Sequence, residues 1–195
     1  MASTAKREWD TTAKTRLDEL ERVHRVARGT GPGRRWGTVQ LNRSLIVVMV
    51  AQFQTYCRDL HDEAVDVHVA AANQWQAVLL RNLMTQGRQL DSKSPRPGAL
   101  GSDFARLGIE LIPKLRTLGR AVTDAVDGLE VLVDFRNAVA HGNESELVAV
   151  EATGRVRATL TSYRAHRRAL NRLVDTMDAV VATELANELD IAAPW

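Results

Sequence analysis

Arg136, Asn137 and His141 stand within one short run, RNAVAHG, and each brings a different piece of polar chemistry. An imidazole exchanges a proton near neutral pH, an amide both donates and accepts hydrogen bonds, and a guanidinium carries a fixed positive charge on a planar fork. Gathered in one cleft, the three suit a phosphodiester, with a proton shuttle, a hydrogen-bond donor and a charge to meet one that develops on phosphate. Taken singly they carry blander readings. Arg136 alone suits a structural ion pair with an acid on a neighbouring helix. His141 alone suits a polar residue that closes a helix, with Gly142 as the left-handed cap.

The element that must position them is a helix whose periodicity runs over 123–141. At about 100° per residue, Asp127, Glu130, Asp134, Asn137 and His141 share one narrow polar sector. Val126, Leu129, Leu132, Val133, Phe135 and Val139 cover most of the remainder. Arg136 falls outside the polar sector, among Leu129, Leu132 and Ala140. An unpaired buried guanidinium costs several kcal/mol, a large part of a domain's whole stability. Arg136 must therefore be paired, reach out to the helix edge, or line a cleft. It stands about 140° from His141 on an ideal helix. The two converge only if the helix ends near His141 or if a second chain brings its own copy alongside.

The rest of the chain supports a single domain over 1–195. Apolar residues make up 45% of its 195 residues and charged residues 26%, with a net charge of +2, too small to imply nucleic acid by itself. Helical spacing dominates. A first helix carries Trp9, Ala13, Leu17, Leu20, Val23 and Ala27 at intervals of three and four. The run GTGPGRRWG breaks it. A second helix begins near Asn42 and reaches about Ala71, and a third covers 73–86. The stretch 87–103, with Pro95, Pro97 and several glycines, reads as a loop. Ser102 or Asp103 then caps a fourth helix, bent at Pro113. The motif helix follows. Over 146–161 the valines alternate around a TGR turn, which predicts a short β-hairpin. A last helix from Ser162 has Tyr163, Leu170, Leu173, Met177, Val180 and Leu185 as its apolar stripe. The expected fold is an all-α bundle of about five to six helices, with that hairpin before the last one.

The RNAVAH run resembles the R-x4-6-H signature of the HEPN superfamily, in which a polar residue, often Asn, directly follows the Arg. The all-helical pattern agrees, as does a long helix upstream containing YCRDL. The hairpin-like segment and final helix after the motif resemble the RiboL-PSP-HEPN branch. The resemblance implies a helical bundle that dimerises with its motif helices close to the two-fold axis. It also implies a metal-independent endoribonuclease, a toxin or antiviral defence effector, leaving 2′,3′-cyclic phosphate and 5′-hydroxyl ends. Carried over by position, His141 is the general acid or base, Arg136 stabilises charge on phosphate, and Asn137 orients the scissile group or the imidazole. Other members only bind RNA, nucleotides or protein, so a non-catalytic RNA-binding or protein-interaction module is the alternative. An antitoxin or effector-complex protein is a further implied partner. Related sequences carry an acid in the second helix where this chain has Gln52 and Gln54, which leaves any role for that acid open.

Other signals are weaker. Arg155, Arg157, Arg164, Arg167, Arg168 and Arg172 lie in a stretch without acids and suit either phosphate contact or a solvated face. Arg34 and Arg35 offer a second basic candidate. His61 and His68 are seven apart, about 10 Å along a helix, too far to share a metal ion; with Asp62, Glu63 and Asp66 they read as a solvated face. No metal or cofactor site is apparent. Cys57, the one cysteine, reads as a buried small residue. Trp9, Trp36 and Trp75 read as packing residues, and Trp195 as docking or fraying at the chain end. The longest apolar run, LIVVMVA over 45–51, is too short to cross a bilayer. With no signal-peptide core at the amino terminus, the expected location is the cytoplasm.

Overall fold

The structure, a computed structural model, describes residues 1–28 and 36–195. Among the described residues every regular element is helical and none is a strand. None of these helices is long and apolar enough to cross a membrane. The chain runs α1 (Thr4–Glu8), a π-helical turn (Trp9–Ala13), α2 (Lys14–Arg28), α3 (Trp36–Ala70), α4 (Gln74–Thr85), α5 (Gln89–Ser92) and α6 (Pro97–Ala105). It continues through α7 (Leu111–Thr117), α8 (Arg120–Ala140), α9 (Glu144–Ala152) and α10 (Leu160–Leu189).

Three long helices, α3, α8 and α10, pack on one another and enclose the core. Each brings a stripe at helical spacing: Ile46, Met49, Val50 and Phe53 on α3, Leu129, Leu132, Val133 and Phe135 on α8, Leu170, Val174, Met177 and Val181 on α10. Burial of such stripes, each side chain worth about 1.5–3 kcal/mol, is what holds helices of this length together. The amino-terminal helices lie across α3 and seal it with Ala5, Trp9, Ala13 and Leu17. Trp9 meets Phe53 and Tyr56 edge-on at centroid distances of 6.2 and 6.1 Å, and its indole N–H donates to Asn171 Oδ1 at 3.0 Å. Trp195 docks at the far end of the chain, donating to the Asp178 carbonyl at 3.4 Å.

Several expectations need correction. The hairpin is absent: its first arm is α9, followed by irregular chain. Asn143 caps that helix by accepting from the Glu146 amide at 3.2 Å, and Glu144 and Glu146 favour its first turn. The alternating valines are divided by the helix, with Val148 exposed and Val150 partly buried. The stretch 87–103 is not plain loop, because it holds α5 and most of α6. Pro97 sits at the first helical position of α6, where its missing N–H costs nothing. Asp103 lies inside α6 instead of capping a helix of its own, and accepts from the Gln89 and Leu90 amides at 2.8 Å each. The expected fourth helix is cut after Ala105 by a turn through Gly108, whose φ of +74° suits glycine. Pro113 is third in α7 and marks its start, not a bend. The second helix begins at Trp36, earlier than Asn42. His61 and His68 are buried, not solvated, and Trp75 is exposed, not packed.

Candidate functional site

α8 ends where the motif needs it to end. Its last residue is Ala140; His141 leaves the helix at φ −96° and ψ 2°, and Gly142 follows at φ +64°. The Asn143 amide donates to the Ala138 carbonyl at 2.9 Å and the Gly142 amide to the Val139 carbonyl at 3.2 Å. This paired closure satisfies the last carbonyls, and its left-handed residue is one that glycine adopts without strain. The imidazole is thereby released from the helix surface and is exposed.

The same helix sorts its polar sector into two halves. Asp127 is held by Arg116 at 2.6 Å. Glu130 and Asp134 are both held by Arg96, which reaches over from the start of α6. Although burial acts against the Arg96 cation, its hydrogen bonds to Asp134 and Glu130 outweigh that and raise its pKa. The acids of the sector are therefore spent on structure. Asn137 and His141, about one and two turns beyond Asp134, lie outside that clamp.

Arg136 reaches from its own side of the helix to the polar sector at Asn137. Its Nη1 donates to Asn137 Oδ1 at 3.0 Å, and Ser94 Oγ donates to the same oxygen at 3.1 Å. Two donors on one atom identify it as the amide oxygen, so the Asn137 amino group is left to donate elsewhere. Arg136 has no carboxylate partner among the described residues, and its Nε is buried without a hydrogen bond. Arg136, Asn137 and His141 all line one open cleft of about 730 Å³, in the size range of ligand sites. Its other wall is the segment Gln89, Ser92, Lys93 and Ser94, and Arg96, Gly98, Ala99 and Glu130 complete the lining.

That wall is fixed from behind by a polar row on α3. Gln54 donates to the Lys93 carbonyl at 2.9 Å and Arg58 to the Leu90 carbonyl at 2.6 Å. Arg88 is 8% exposed and donates to Asp62 at 2.6 Å and Asp91 at 2.7 Å, with His61 Nδ1 at 3.2 Å from its Nη1. Since Nδ1 faces a donor, the ring proton sits on Nε2, which donates to the Asp103 carbonyl at 3.1 Å. Burial, and then the Arg88 charge, lower the His61 pKa. The Arg88 hydrogen bond in turn holds the Asp91 carboxyl below its usual range.

The motif residues were visible in the sequence; the wall was not. Ser94, Lys93 and Arg96 sit in the proline-rich stretch, and the dense Pro95 and Pro97 pair was the one signal that this chain is held in a fixed course. Gln54 anchors that wall by its amide. The basic candidates lie elsewhere. Arg155, Arg157, Arg164, Arg168 and Arg172 are exposed and none lines the cleft. Arg164 donates to Glu21 through Nε at 2.8 Å, and Arg172 reaches the Ala121 carbonyl at 3.4 Å. Arg155 borders a smaller hollow with His166, between α8 and α10. Arg34 and Arg35 fall outside the described residues. Cys57 is buried, and burial, then Asp59, push its thiol well up. No group of three or more His, Cys, Asp or Glu placed to hold a metal ion occurs among the described residues.

No family model matches the chain, and neither a curated protein nor a solved structure matches it.

Proposed function

We propose that this chain is a HEPN-type, metal-independent endoribonuclease that works as a homodimer. The observation that carries the proposal is the cleft in which Arg136, without a carboxylate of its own, stands beside Asn137 and His141. A half-buried cation left unneutralised at the edge of an open cleft suits an anionic ligand.

In the proposed reaction the ribose 2′-oxygen bonds to the adjacent phosphorus and the bond from phosphorus to the 5′-oxygen breaks. One proton leaves the 2′-oxygen and one reaches the 5′-oxygen. His141 carries one of these two transfers, as acid or base. Arg136 meets the charge that grows on the non-bridging phosphate oxygens, and the Asn137 amino group orients the phosphate or the imidazole. The products are a 2′,3′-cyclic phosphate and a 5′-hydroxyl. Such a role fits a toxin or antiviral effector, restrained by a partner protein.

The test is cleavage of labelled RNA with end-group analysis, by the native chain and by His141→Ala, with and without EDTA. Cyclic-phosphate ends that survive EDTA and vanish in His141→Ala support the proposal; undiminished cleavage by that variant overturns it. A second reading keeps the cleft as an RNA-binding site without turnover. In its favour, the His141 ring has no hydrogen-bond partner to orient it among the described residues. RNA that binds, is never cut, and is released by Arg136→Ala would establish that reading instead.

A further inference from the structure

The cleft carries more charge than the proposed reaction uses. Its lining holds three permanent cations, Lys93, Arg96 and Arg136, against one carboxylate, Glu130. Glu130 is taken, with Asp134, by Arg96. Asp91, the acid nearest to Lys93 along the chain, is taken by Arg88 at 2.7 Å. Lys93 is left with a neutral partner. Its Nζ donates to Gln89 Oε1 at 3.2 Å, and an ammonium has three N–H groups to give.

The backbone beneath this exposed side chain is held on both sides. The Lys93 amide donates to the Gln89 carbonyl at 2.7 Å, closing α5, and its carbonyl accepts from Gln54 of α3 at 2.9 Å. One residue on, the Ser94 hydroxyl donates to Asn137 Oδ1 at 3.1 Å, the same oxygen to which Arg136 donates at 3.0 Å. Lys93 and Arg136 are thus linked through one peptide and two hydrogen bonds. The spacing of the two cations is set by the fold, not by a ligand.

We infer that Lys93 seats a second phosphate, next along the strand from the one held at Arg136 and His141. The substrate is then an unpaired RNA strand gripped at two phosphates. This inference rests on the nuclease reading of the cleft. A hollow of about 730 Å³ has room for about two nucleotides and not for a duplex. An unpaired strand can turn successive phosphates toward different walls, whereas an A-form helix fixes them in rows on its outside. The two cations suit different tasks. The planar fork of Arg136 fixes the phosphate being cut. The ammonium of Lys93, a compact charge on a flexible stem, follows a neighbouring phosphate whose position shifts with the base attached. The arginines of 155–172 can draw RNA toward the protein, but apart from the cleft, since none lines it.

The test compares two short RNAs on the full chain. One is a dinucleoside monophosphate, whose single phosphate is the one cut; the other is the same molecule with a phosphate added at each end. Native protein is expected to prefer the second by roughly tenfold in kcat/KM, the worth of one charged hydrogen-bonded contact. Lys93→Gln is expected to abolish most of that preference, and Lys93→Arg to restore it. A preference that survives Lys93→Gln, or is lost equally in Arg168→Gln, overturns the inference. Binding supplies an arm free of turnover. With a short 2′-O-methyl RNA, which cannot be cut, the slope of log Kd against log salt is expected to fall by about 0.7 in Lys93→Gln. An unchanged slope also overturns the inference. That fall in slope without any cleavage of unmodified RNA keeps Lys93 in its role and overturns the nuclease reading alone. Cleavage abolished by His141→Ala, with preference and slope both untouched by Lys93→Gln, overturns the Lys93 assignment alone.

Discussion

Two arginines, Arg88 and Arg136, sit against the same stretch of chain and are treated in opposite ways. Arg88, almost wholly buried, is surrounded by Asp62, Asp91 and the Nδ1 of His61. Arg136, less buried, has one hydrogen bond, to the residue beside it, and a buried Nε with none. Burial of a guanidinium is tolerable when carboxylates surround it and costly when they do not. The fold spends its acids on the first arginine, and through Arg96 on the upper half of the α8 sector, but leaves the second unpaid. The difference separates a cation neutralised by the fold from one whose charge the fold leaves without a carboxylate.

The comparison breaks most clearly on activity. If Arg136 is kept for a phosphate, Arg136→Ala and His141→Ala should each lower RNA cleavage by about 10²–10⁴-fold. Arg88→Ala, in contrast, should act on stability. It strands Asp62 and Asp91, and because each of those side chains is half exposed, the expected cost is about 2–3 kcal/mol in urea unfolding, below the fully buried case. Arg136→Met should leave stability within about 1 kcal/mol of native or raise it, since it strands no carboxylate. A large loss of stability in Arg136→Met would erase the distinction.

Acid should act on the Arg88 side. His61 is held below the ordinary imidazole value of 6.5 by burial and then by Arg88. The unfolded chain therefore takes up a proton that the folded chain refuses. The stabilising contribution of neutral His61 is complete above about 6.5 and is lost as pH falls from there toward the lower folded value. Unfolding followed from neutral pH to about pH 5 should show that loss, and His61→Gln should flatten it. The smallest effect expected is that of Gln54→Ala. Releasing the Lys93 carbonyl should cost about 1 kcal/mol and lower cleavage modestly by loosening the 89–94 wall of the cleft.

How far the sequence could lead follows from which contacts are local. The all-α class, the stripes of α3, α8 and α10, and the glycine closure after His141 are set by spacings of three to five residues, and all were readable. Arg136 was conspicuous because a charge among leucines violates the pattern of its own helix. α9 was misread because alternating valines with small neighbours fit a strand as well as a helix. The deciding sign was the Asn143–Glu146 cap, a local motif that outweighs alternation. Asp103 could not be placed, because it serves amides 13 and 14 residues away. Arg96 likewise finds its acids 34 and 38 residues on. Trp75 looked like core by residue type, and only the packing of α4 on α3 determines which side of that helix is left outside.

The lodging of Arg136 has one more consequence. With its Nε buried and one arm tied to Asn137, the side chain has already surrendered much of its rotational freedom before any ligand is near. An arriving anion therefore finds a host whose ordering was completed during folding, and little further entropy is lost when it is seated. A lysine there would keep the charge but not the posture, and the grip on an anion would loosen although the net charge stayed the same.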